Sequence, residues 1–267
     1  GRALGIDREA RLVQVEGRAP IFYDIASVDI GITTELPQLP GFAEHGLPAK
    51  PLAAYAERWE AYVTAALEGR AEPRVLVIGA GVAGVELALA SAWRLKSAGV
   101  AAEVTLLEAA EQPLRDIGAG ARRALLAQLE RQGVTLRTGV RAARVTAAGV
   151  ELERGEALPA GLVLGVAGAR PQDWLAGTGL QLTDGFIDVG PELRSLNDPL
   201  IYAAGDCAHL THAPRPKAGV YAVREAPILA HNLRADLTGG RRRGYRPQRD
   251  YLKLISTGGK HAVADKL

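Results

Sequence analysis

The sequence has little cysteine, no long apolar run and almost no net charge, and each shortage removes a class of protein. A single cysteine, Cys207, excludes a disulfide within the chain and fits a reducing compartment. No apolar run approaches the roughly 20 residues of a membrane-spanning helix, and the first residues show no basic-then-apolar secretory pattern. The net charge of +2 is too small for nucleic acid or an anionic membrane as main partner. We therefore predict a cytoplasmic protein that would meet a membrane only at its surface.

The composition is that of an ordinary globular protein, and one section of the sequence has a very regular alternation of apolar segments. The 267 residues, 48% hydrophobic and 23% charged, are enough for two packed domains. Across residues 74–168, strands alternate with a glycine turn and helices, the second helix lying near 117–132 and ending at Gly133. This alternation predicts an α/β fold with a parallel, doubly wound sheet. Three short segments are expected to complete the unit: 141–146, 149–153 and 161–166.

The section before it predicts shorter elements. Residues 12–15 and 21–30 have the apolar pattern of short strands. The proline- and glycine-rich stretch 33–51 predicts a connector without an element of its own. An amphipathic linking helix is expected next, with a glycine stop at Gly69.

The last third changes pattern twice. Residues 177–205 predict short strands and turns, and residues 216–240 predict a long helix with Pro216 in its first turn and Gly239 past its end. The final apolar stretch, YLKLIST, predicts a strand. We expect this strand to begin a further element that the given sequence does not complete.

One glycine-rich loop stands directly between a strand and a helix, in VLVIGAGVAGVELALA at 75–90. This context predicts dinucleotide binding far more strongly than the motif alone. Gly79 allows the tight turn, Gly81 lets the backbone approach a diphosphate, and Gly84 lets the helix lie close to the strand. Free amides at the helix start favour the phosphate's negative charge. The candidate binding residues of the loop are Gly79, Ala80, Gly81, Val82, Ala83 and Gly84.

Glu108 ends the next strand, where a carboxylate can accept hydrogen bonds from an adenosine ribose. Its charge would repel a 2′-phosphate, so NADH is favoured over NADPH. Arg115, Arg122 and Arg123 lie downstream and keep NADPH open as the alternative.

Three further segments resemble the pyridine nucleotide-disulfide oxidoreductase superfamily, the two-dinucleotide-binding flavoproteins. YDIASVDIG (23–31) is similar to the strand before the crossover to the NAD domain, VLGVAGARPQDWL (163–175) to the return, and IYAAGD (201–206) to the flavin-binding ending. The resemblance implies a Rossmann-like NAD domain inserted in an FAD domain. In that superfamily the FAD domain begins with its own glycine loop, which this sequence lacks, so we expect an N-terminally truncated flavoprotein.

The resemblance also implies a division of the chain. The expected parts are 1–50, a remnant of the FAD domain; 51–70, the linking helix; 71–176, the NAD(P) domain; 177–245, the C-terminal part of the FAD domain; and 246–267, the start of a C-terminal domain.

Two stretches of the tail narrow the resemblance. RPKAGVYAVREAPILAHNL and GYRPQRDYLKLISTGGKHAVAD look like the type II NADH dehydrogenase branch, and more narrowly like flavoproteins associated with selenide, water dikinase. The implied activity is hydride transfer from NADH to FAD and electron delivery to a small acceptor, of quinone type or unknown. The truncated chain itself is expected to be inactive. A sulfide:quinone oxidoreductase, and a non-catalytic NAD-sensing module that serves a selenide, water dikinase partner, remain alternatives; the oligomeric state is open.

By the same resemblance, further residues are expected at the cofactors. Gly205 and Asp206 would hold the ribityl and pyrophosphate region of FAD, although Asp206 could instead cap the next turn. The amides of Gly219 and Val220 would face the isoalloxazine, and Lys217 would either add positive charge there or simply be solvated. The other expected positions are Glu86, near the nicotinamide or flavin with even odds, and Ala167 and Gly168, in a turn beside the nicotinamide nucleotide.

Cys207, His209 and His212 lie within six residues, but a structural zinc site usually needs four ligands, so we predict no metal. Cys207 is interpreted as a small buried residue, because a partner for a redox pair is lacking. The run Arg241–Arg243 is expected to be solvated, with a peripheral membrane contact or an anionic partner as the alternative.

Overall fold

The structure, a computed structural model, describes residues 1–34, 36, 38–166 and 168–266. The chain divides into two compact units. The first unit comprises residues 1–32 and 169–249, and the second comprises residues 33–168 and 250–267. The predicted boundaries differ from this division at both ends of the glycine-loop unit, which also includes residues 33–70 and the C-terminal stretch.

Among the described residues the strands are, in chain order, β1 (Ala3–Asp7), β2 (Leu12–Val15), β3 (Ile21–Phe22), β4 (Ala26–Val28), β5 (Gly46–Pro48), β6 (Arg74–Ile78), β7 (Glu103–Leu107), β8 (Val134–Arg137), β9 (Ala142–Thr146), β10 (Gly149–Leu152), β11 (Ala157–Pro159), β12 (Leu162–Gly165), β13 (Leu182–Thr183), β14 (Phe186–Val189), β15 (Ile201–Ala203), β16 (Ala208–Leu210), β17 (Lys253–Ser256) and β18 (Ala262–Asp265). The α-helices are α1 (Phe42–His45), α2 (Leu52–Leu67), α3 (Val82–Ser97), α4 (Ala119–Arg131) and α5 (Gly219–Thr238).

The second unit is built on a parallel sheet with the strand order β5-β12-β6-β7-β8. The parallel α/β fold expected from the alternation is therefore confirmed. Alternate residues of each strand point to opposite faces: Val75 and Val77 pack in the core formed with helices α2, α3 and α4, and Leu76 packs in a separate core on the other face. That other face is covered by the antiparallel sheet β9-β10-β11.

The prediction of a plain connector over residues 33–51 is wrong. The short helix α1 and strand β5 form there, and β5 pairs in parallel with β12 at the edge of the sheet. The ring of Phe42 fills the space above two glycines: an added Cβ would lie 2.4 Å from the ring at Gly46 and 2.3 Å from it at Gly165. The packing partner lies more than a hundred residues away, so the local proline and glycine pattern could not indicate it.

The C-terminal stretch forms a complete hairpin within the second unit. Strand β17, which the sequence predicts, pairs antiparallel with β18 from Lys253↔Asp265 to Ser256↔Ala262. Ile255 is 1% exposed and lies in the same core as helices α3 and α4. Residues 250–267 thus belong to the glycine-loop unit, and the expected start of a C-terminal domain in this stretch stays a prediction.

The first unit consists of small sheets and one long helix. Strands β1, β2 and β3 form an antiparallel sheet, β4 pairs in parallel with β15, and β13, β14 and β16 form a third sheet. The strand expected over 21–30 is split into β3 and β4. Helix α5 begins at Gly219, three residues later than Pro216, and ends as predicted before Gly239, whose φ of 71° suits glycine.

The approach of α3 to the end of β6 gives a stability test. A Cβ on Gly84 would lie 1.7 Å from the carbonyl oxygen of Gly79, so Gly84→Ala should lower the free energy of unfolding by about 1–3 kcal/mol through overpacking. The control is Gly120→Ala in helix α4, where nothing lies within 4 Å of an added Cβ and the helical preference of alanine should be neutral or stabilising. Urea unfolding of both variants checks this; equal stability would contradict the packing.

Candidate functional site: a dinucleotide loop and a Gly-Asp turn

The glycine loop joins buried strand β6 to helix α3 with a different demand at each glycine. Gly79 has a φ of 105°, and its amide donates to the carbonyl of Leu107 at 2.8 Å. Gly84 lies against the backbone of Gly79, where any side chain would collide. At Gly81 an added Cβ would meet nothing within 4 Å, which leaves open space above the loop.

That open space lies at the start of α3. Amides in the first turn of a helix, here those of Val82, Ala83 and Gly84, have no acceptor within the helix, and the helix dipole adds partial positive charge. Gly81 occupies the N-cap position and has no side chain that could cap them. The loop therefore fits a diphosphate, because it offers amide donors without an acceptor in the helix, positive potential and room for the group.

Glu108 is held beside this loop by two backbone amides. Its carboxylate accepts from Ala80 N at 2.8 Å and from Ala110 N at 2.9 Å. Carboxylate oxygens have further lone pairs, so the expected contact with a ribose hydroxyl stays a prediction that this geometry permits. The sequence did not indicate that Glu108 also fixes the loop through Ala80.

The three arginines after β7 have different roles. The guanidinium of Arg122 donates to the carbonyls of Leu114 at 3.0 Å, Ile117 at 3.3 Å and Arg115 at 3.5 Å. It therefore braces the 114–117 turn, which makes it a poor candidate for a 2′-phosphate. The side chains of Arg115 and Arg123 are exposed.

Glu86 points to the C-terminal hairpin. One carboxylate oxygen accepts the amide of Ser256 at 2.7 Å. Burial raises the pKa of Glu86, and the hydrogen bond from Ser256 opposes the rise. Because Ser256 lies 170 residues away, no local signal could have identified it as the partner.

Two residues are expected in a turn near the nicotinamide, and the structure describes one of them. Ala167 lies outside the described residues. Gly168 is exposed with a φ of 87°, and an added Cβ there would meet nothing within 4 Å. A glycine thus suits the backbone at this position, and its contact with a nucleotide stays a prediction.

In the first unit, strand β15 leads into a Gly-Asp turn with a tight backbone. Gly205 has a φ of 73°, and an added Cβ would lie 2.7 Å from Oδ1 of Asp29. Its amide donates to the carboxylate of Glu225 in helix α5 at 2.6 Å. Burial raises the pKa of Glu225, which is 2% exposed. Glu225 is not among the residues predicted from the sequence, because its position in a helix does not indicate a contact with the Gly205 amide.

A small cleft lies between this turn and the start of α5. Its lining includes Asp206, Lys217 and Tyr221. Gly219 is exposed at the first turn of α5 and Val220 is partly buried. The amides of this helix end and the glycine at 205 suit the close approach of a polar, negatively charged cofactor.

Lys217 is more ordered than a solvated lysine. Its ammonium donates to the carbonyl of Ala208 at 2.6 Å and lies 3.9 Å from the centre of the Phe186 ring. Burial lowers the pKa of Lys217. The alternative of a simply solvated side chain is therefore wrong, although a contact with flavin stays a prediction.

Cys207 lies in the core of the first unit. It is 2% exposed, and its sulfur lies 3.2 Å from the carbonyls of Val28 and of Ala204. Burial raises the pKa of Cys207 to about 11. The interpretation of Cys207 as a small buried residue agrees with this position.

The two histidines near Cys207, His209 and His212, do not form a set of metal ligands with it in the described residues. His212 Nε2 lies 3.1 Å from the carbonyl of Tyr245. Within the described ranges, no group of three or more histidine, cysteine or acidic side chains could hold a metal ion.

The basic run 241–243 is partly fixed by the fold. Arg242 pairs with Asp236, and its guanidinium lies 3.7 Å from Glu192. The backbone of Arg243 exchanges two hydrogen bonds of 2.8 Å with the side chain of Asn232. Arg241 is exposed. Across the part of the chain that the structure describes, no helix has both the length and the apolar character to cross a membrane.

Known proteins match most of the chain. Residues 3–226 match the family described as pyridine nucleotide-disulphide oxidoreductase. The nitric oxide reductase FlRd-NAD(+) reductase of Aeromonas hydrophila is 36% identical, with 76% of this chain and 50% of that protein covered. An NADH dehydrogenase-like protein of Mycobacterium tuberculosis is 31% identical (76% and 53% covered), and the demethylphylloquinone reductase of Synechocystis is 26% identical (89% and 60% covered).

A solved structure has a similar fold. The ferredoxin reductase of Rhodopseudomonas palustris superimposes with a TM-score of 0.75 at 25% identity, over 94% of this chain and 60% of that one. The chain spans about half the length of the curated relatives that it matches.

The parallel sheet and the strand–glycine–helix loop are those of the α/β folds that bind dinucleotides in oxidoreductases. The chain belongs to the pyridine nucleotide-disulphide oxidoreductase family, whose model matches residues 3–226. Its relatives include NADH dehydrogenase-like proteins.

We expect Cys207 to resist alkylation in the native chain. The reactive form is the thiolate, and a pKa of about 11 leaves little of it at pH 8. Iodoacetamide should therefore label the native chain roughly 100-fold more slowly than the chain unfolded in guanidinium, because an unperturbed thiol titrates near 8.5. Mass spectrometry of the intact chain measures both rates. Comparable rates would show that the thiol is reactive in the folded state.

Proposed function

We propose that the whole protein is an FAD-dependent NADH oxidoreductase that passes electrons on to a quinone-type acceptor. The observation that carries the proposal is the glycine loop, in which Gly79, Gly81 and Gly84 meet three separate requirements of a diphosphate site. The family match supports the reaction class. Because the chain spans about half of its relatives' length, the proposal concerns the protein of which this chain is at least a part.

In this proposal each unit of the chain binds a different cofactor. The loop amides of Val82 and Ala83 bind the NADH diphosphate, and Glu108 orients the adenosine ribose. In the first unit, Gly205 and Asp206 hold the ribityl end of FAD, and the first amides of α5 favour negative charge near the pyrimidine ring. When bound, FAD accepts a hydride and releases electrons singly or in pairs. The chain's own part is to position the cofactors and to set the local charge.

The choice of acceptor rests on the relatives' names and on the resemblance of the tail. One relative is a demethylphylloquinone reductase, which favours a quinone. One of the similar solved structures is a ferredoxin reductase, which makes a small iron-sulfur protein the competing class. Exposed Arg241 offers a point for a peripheral membrane contact where a quinone would be met. The tail motifs support an association with selenide, water dikinase.

The sulfide-oxidising alternative finds no support in the position of Cys207. A cysteine that attacks or carries sulfur must ionise and be reached by the substrate, whereas this thiol is 2% exposed with a pKa raised to about 11.

NADH binding to this chain tests the loop directly. Gly81→Ala places a methyl group in the open space where the diphosphate would lie, so the dissociation constant of NADH should rise at least tenfold, which is about 1.4 kcal/mol. The melting temperature should stay close to that of the wild type, because the added Cβ touches nothing in the protein. Calorimetric titration with NADH measures the effect, with Gly120→Ala as the control. If Gly81→Ala bound NADH with the affinity of the wild type, the diphosphate would not bind at this loop.

The role of Glu108 predicts a change in coenzyme preference. Glu108→Gln removes the charge beside the ribose, so the ratio of the NADPH to the NADH dissociation constant should fall about fivefold or more, roughly 1 kcal/mol of lost repulsion. Glu103→Gln is the matched control, since Glu103 starts the same strand and pairs at the surface with Arg74. The same change of ratio in both variants would mean that Glu108 does not face the 2′ position.

A further inference from the structure

The C-terminal hairpin, formed by strands β17 and β18, contacts the rest of the second unit at both ends of helix α4 and on helix α3. At the start of α4, the amide of Gly118 donates to Oδ1 of Asp265 at 3.1 Å. At the other end, the side chain of Gln132 donates to the carbonyl of Thr257 at 2.5 Å. Gly258 packs so closely on Trp93 of α3 that an added Cβ would lie 2.6 Å from the Trp93 Cβ. The hairpin is thus a tightly docked part of the unit.

One line of contacts runs from the hairpin to the loop through the 114–118 segment. Asp265, which is 4% exposed, holds the Gly118 amide. The turn that precedes Gly118 is braced by the Arg122 guanidinium. At the start of that turn, the amide of Leu114 donates to the carbonyl of Ala80 at 3.0 Å. Leu114 is buried with a φ of 53°, a conformation that persists only where the surroundings fix it.

A second line reaches the loop through α3. The amide of Ser256 donates to Glu86, so the hairpin contacts α3 directly after the first turn, whose free amides face the open space. The carboxylate is turned to an amide of the hairpin, which stabilises its charge away from the loop.

We infer that the hairpin is part of the dinucleotide site: Asp265 and Glu86 are positioning residues that hold the glycine loop from two sides, one through Ala80 and one through α3. This inference rests on the proposed function for its ligand, the dinucleotide. It assigns the C-terminal residues to the NADH half of the protein.

The test compares the two ends of α4. Asp265→Ala removes the hydrogen bond to Gly118, beside the loop, and Gln132→Ala removes the hydrogen bond to Thr257, at the far end. Hydrogen exchange measured without nucleotide should accelerate at least about threefold in residues 79–86 and 114–118 of Asp265→Ala and stay unchanged there in Gln132→Ala. The dissociation constant of NADH should rise threefold to tenfold in the first variant and change less than twofold in the second.

Two further variants separate positioning from stability. Asp265→Asn keeps an acceptor for the Gly118 amide and should restore the wild-type exchange of the loop. Lys253→Met removes the ion pair with Asp265, a contact of 3.0 Å, and should lower the melting temperature without changing the loop.

Unchanged exchange of the loop in Asp265→Ala would overturn the inference, whatever the NADH affinity. Equal acceleration in Asp265→Ala and Lys253→Met would overturn it too, because the loop would then follow stability alone. If the wild-type chain binds no NADH but Asp265→Ala still accelerates exchange in the loop, the proposed function fails and the structural link stands.

Discussion

The tight approach of helix α3 to the end of strand β6 is the constraint on which the second unit depends. The carbonyl of Gly79 lies where the side chain of any residue other than glycine at position 84 would have to be. This contact fixes the angle at which the helix leaves the sheet, and with it the direction of the first amides. Between these two glycines, both polar groups of the Ala80 backbone are hydrogen-bonded, the amide to Glu108 and the carbonyl to Leu114. The segments after β6 and β7 are thereby tied together at the edge of the sheet where parallel α/β folds bind nucleotides.

The same device holds the backbone at four places: a side-chain carboxylate accepts a hydrogen bond from a backbone amide elsewhere in the chain. Glu108 accepts Ala80, Glu86 accepts Ser256, Asp265 accepts Gly118 and Glu225 accepts Gly205. Such hydrogen bonds are stronger than neutral ones, and leaving the carboxylate unpaired would be costly where it is buried. For Glu86 the device also removes an electrostatic conflict. Its charge is directed to the hairpin, so a negative group beside an expected phosphate site is tolerated.

The parts of this fold that could be predicted from the sequence are those with local signals. Apolar runs between glycine turns indicate β6, β7 and β8, and the spacing of the glycines indicates the loop together with the role of each glycine. Pairing between distant segments leaves no such signal. Strand β5 has the pattern of a proline-rich connector because its partner β12 lies far along the chain, and the sequence of YLKLIST does not show that Ile255 packs in the core with α3 and α4. The same reason explains why Glu225 and the ordering of Lys217 were missed: both follow from a turn that folds back onto α5.

The cysteine content of this chain limits the redox chemistry that its own side chains can perform. Disulfide exchange needs a thiolate and a second sulfur, and this chain has one cysteine, held in the core beside the carbonyls of Val28 and Ala204. Nothing in the chain can therefore store electrons as a dithiol, although the family is named for that chemistry. Within the residues of this chain, thiol-linked electron transfer would therefore need a second sulfur from outside it. The proposed direct transfer from flavin to a quinone or a small redox protein needs no such sulfur, because it involves no covalent step.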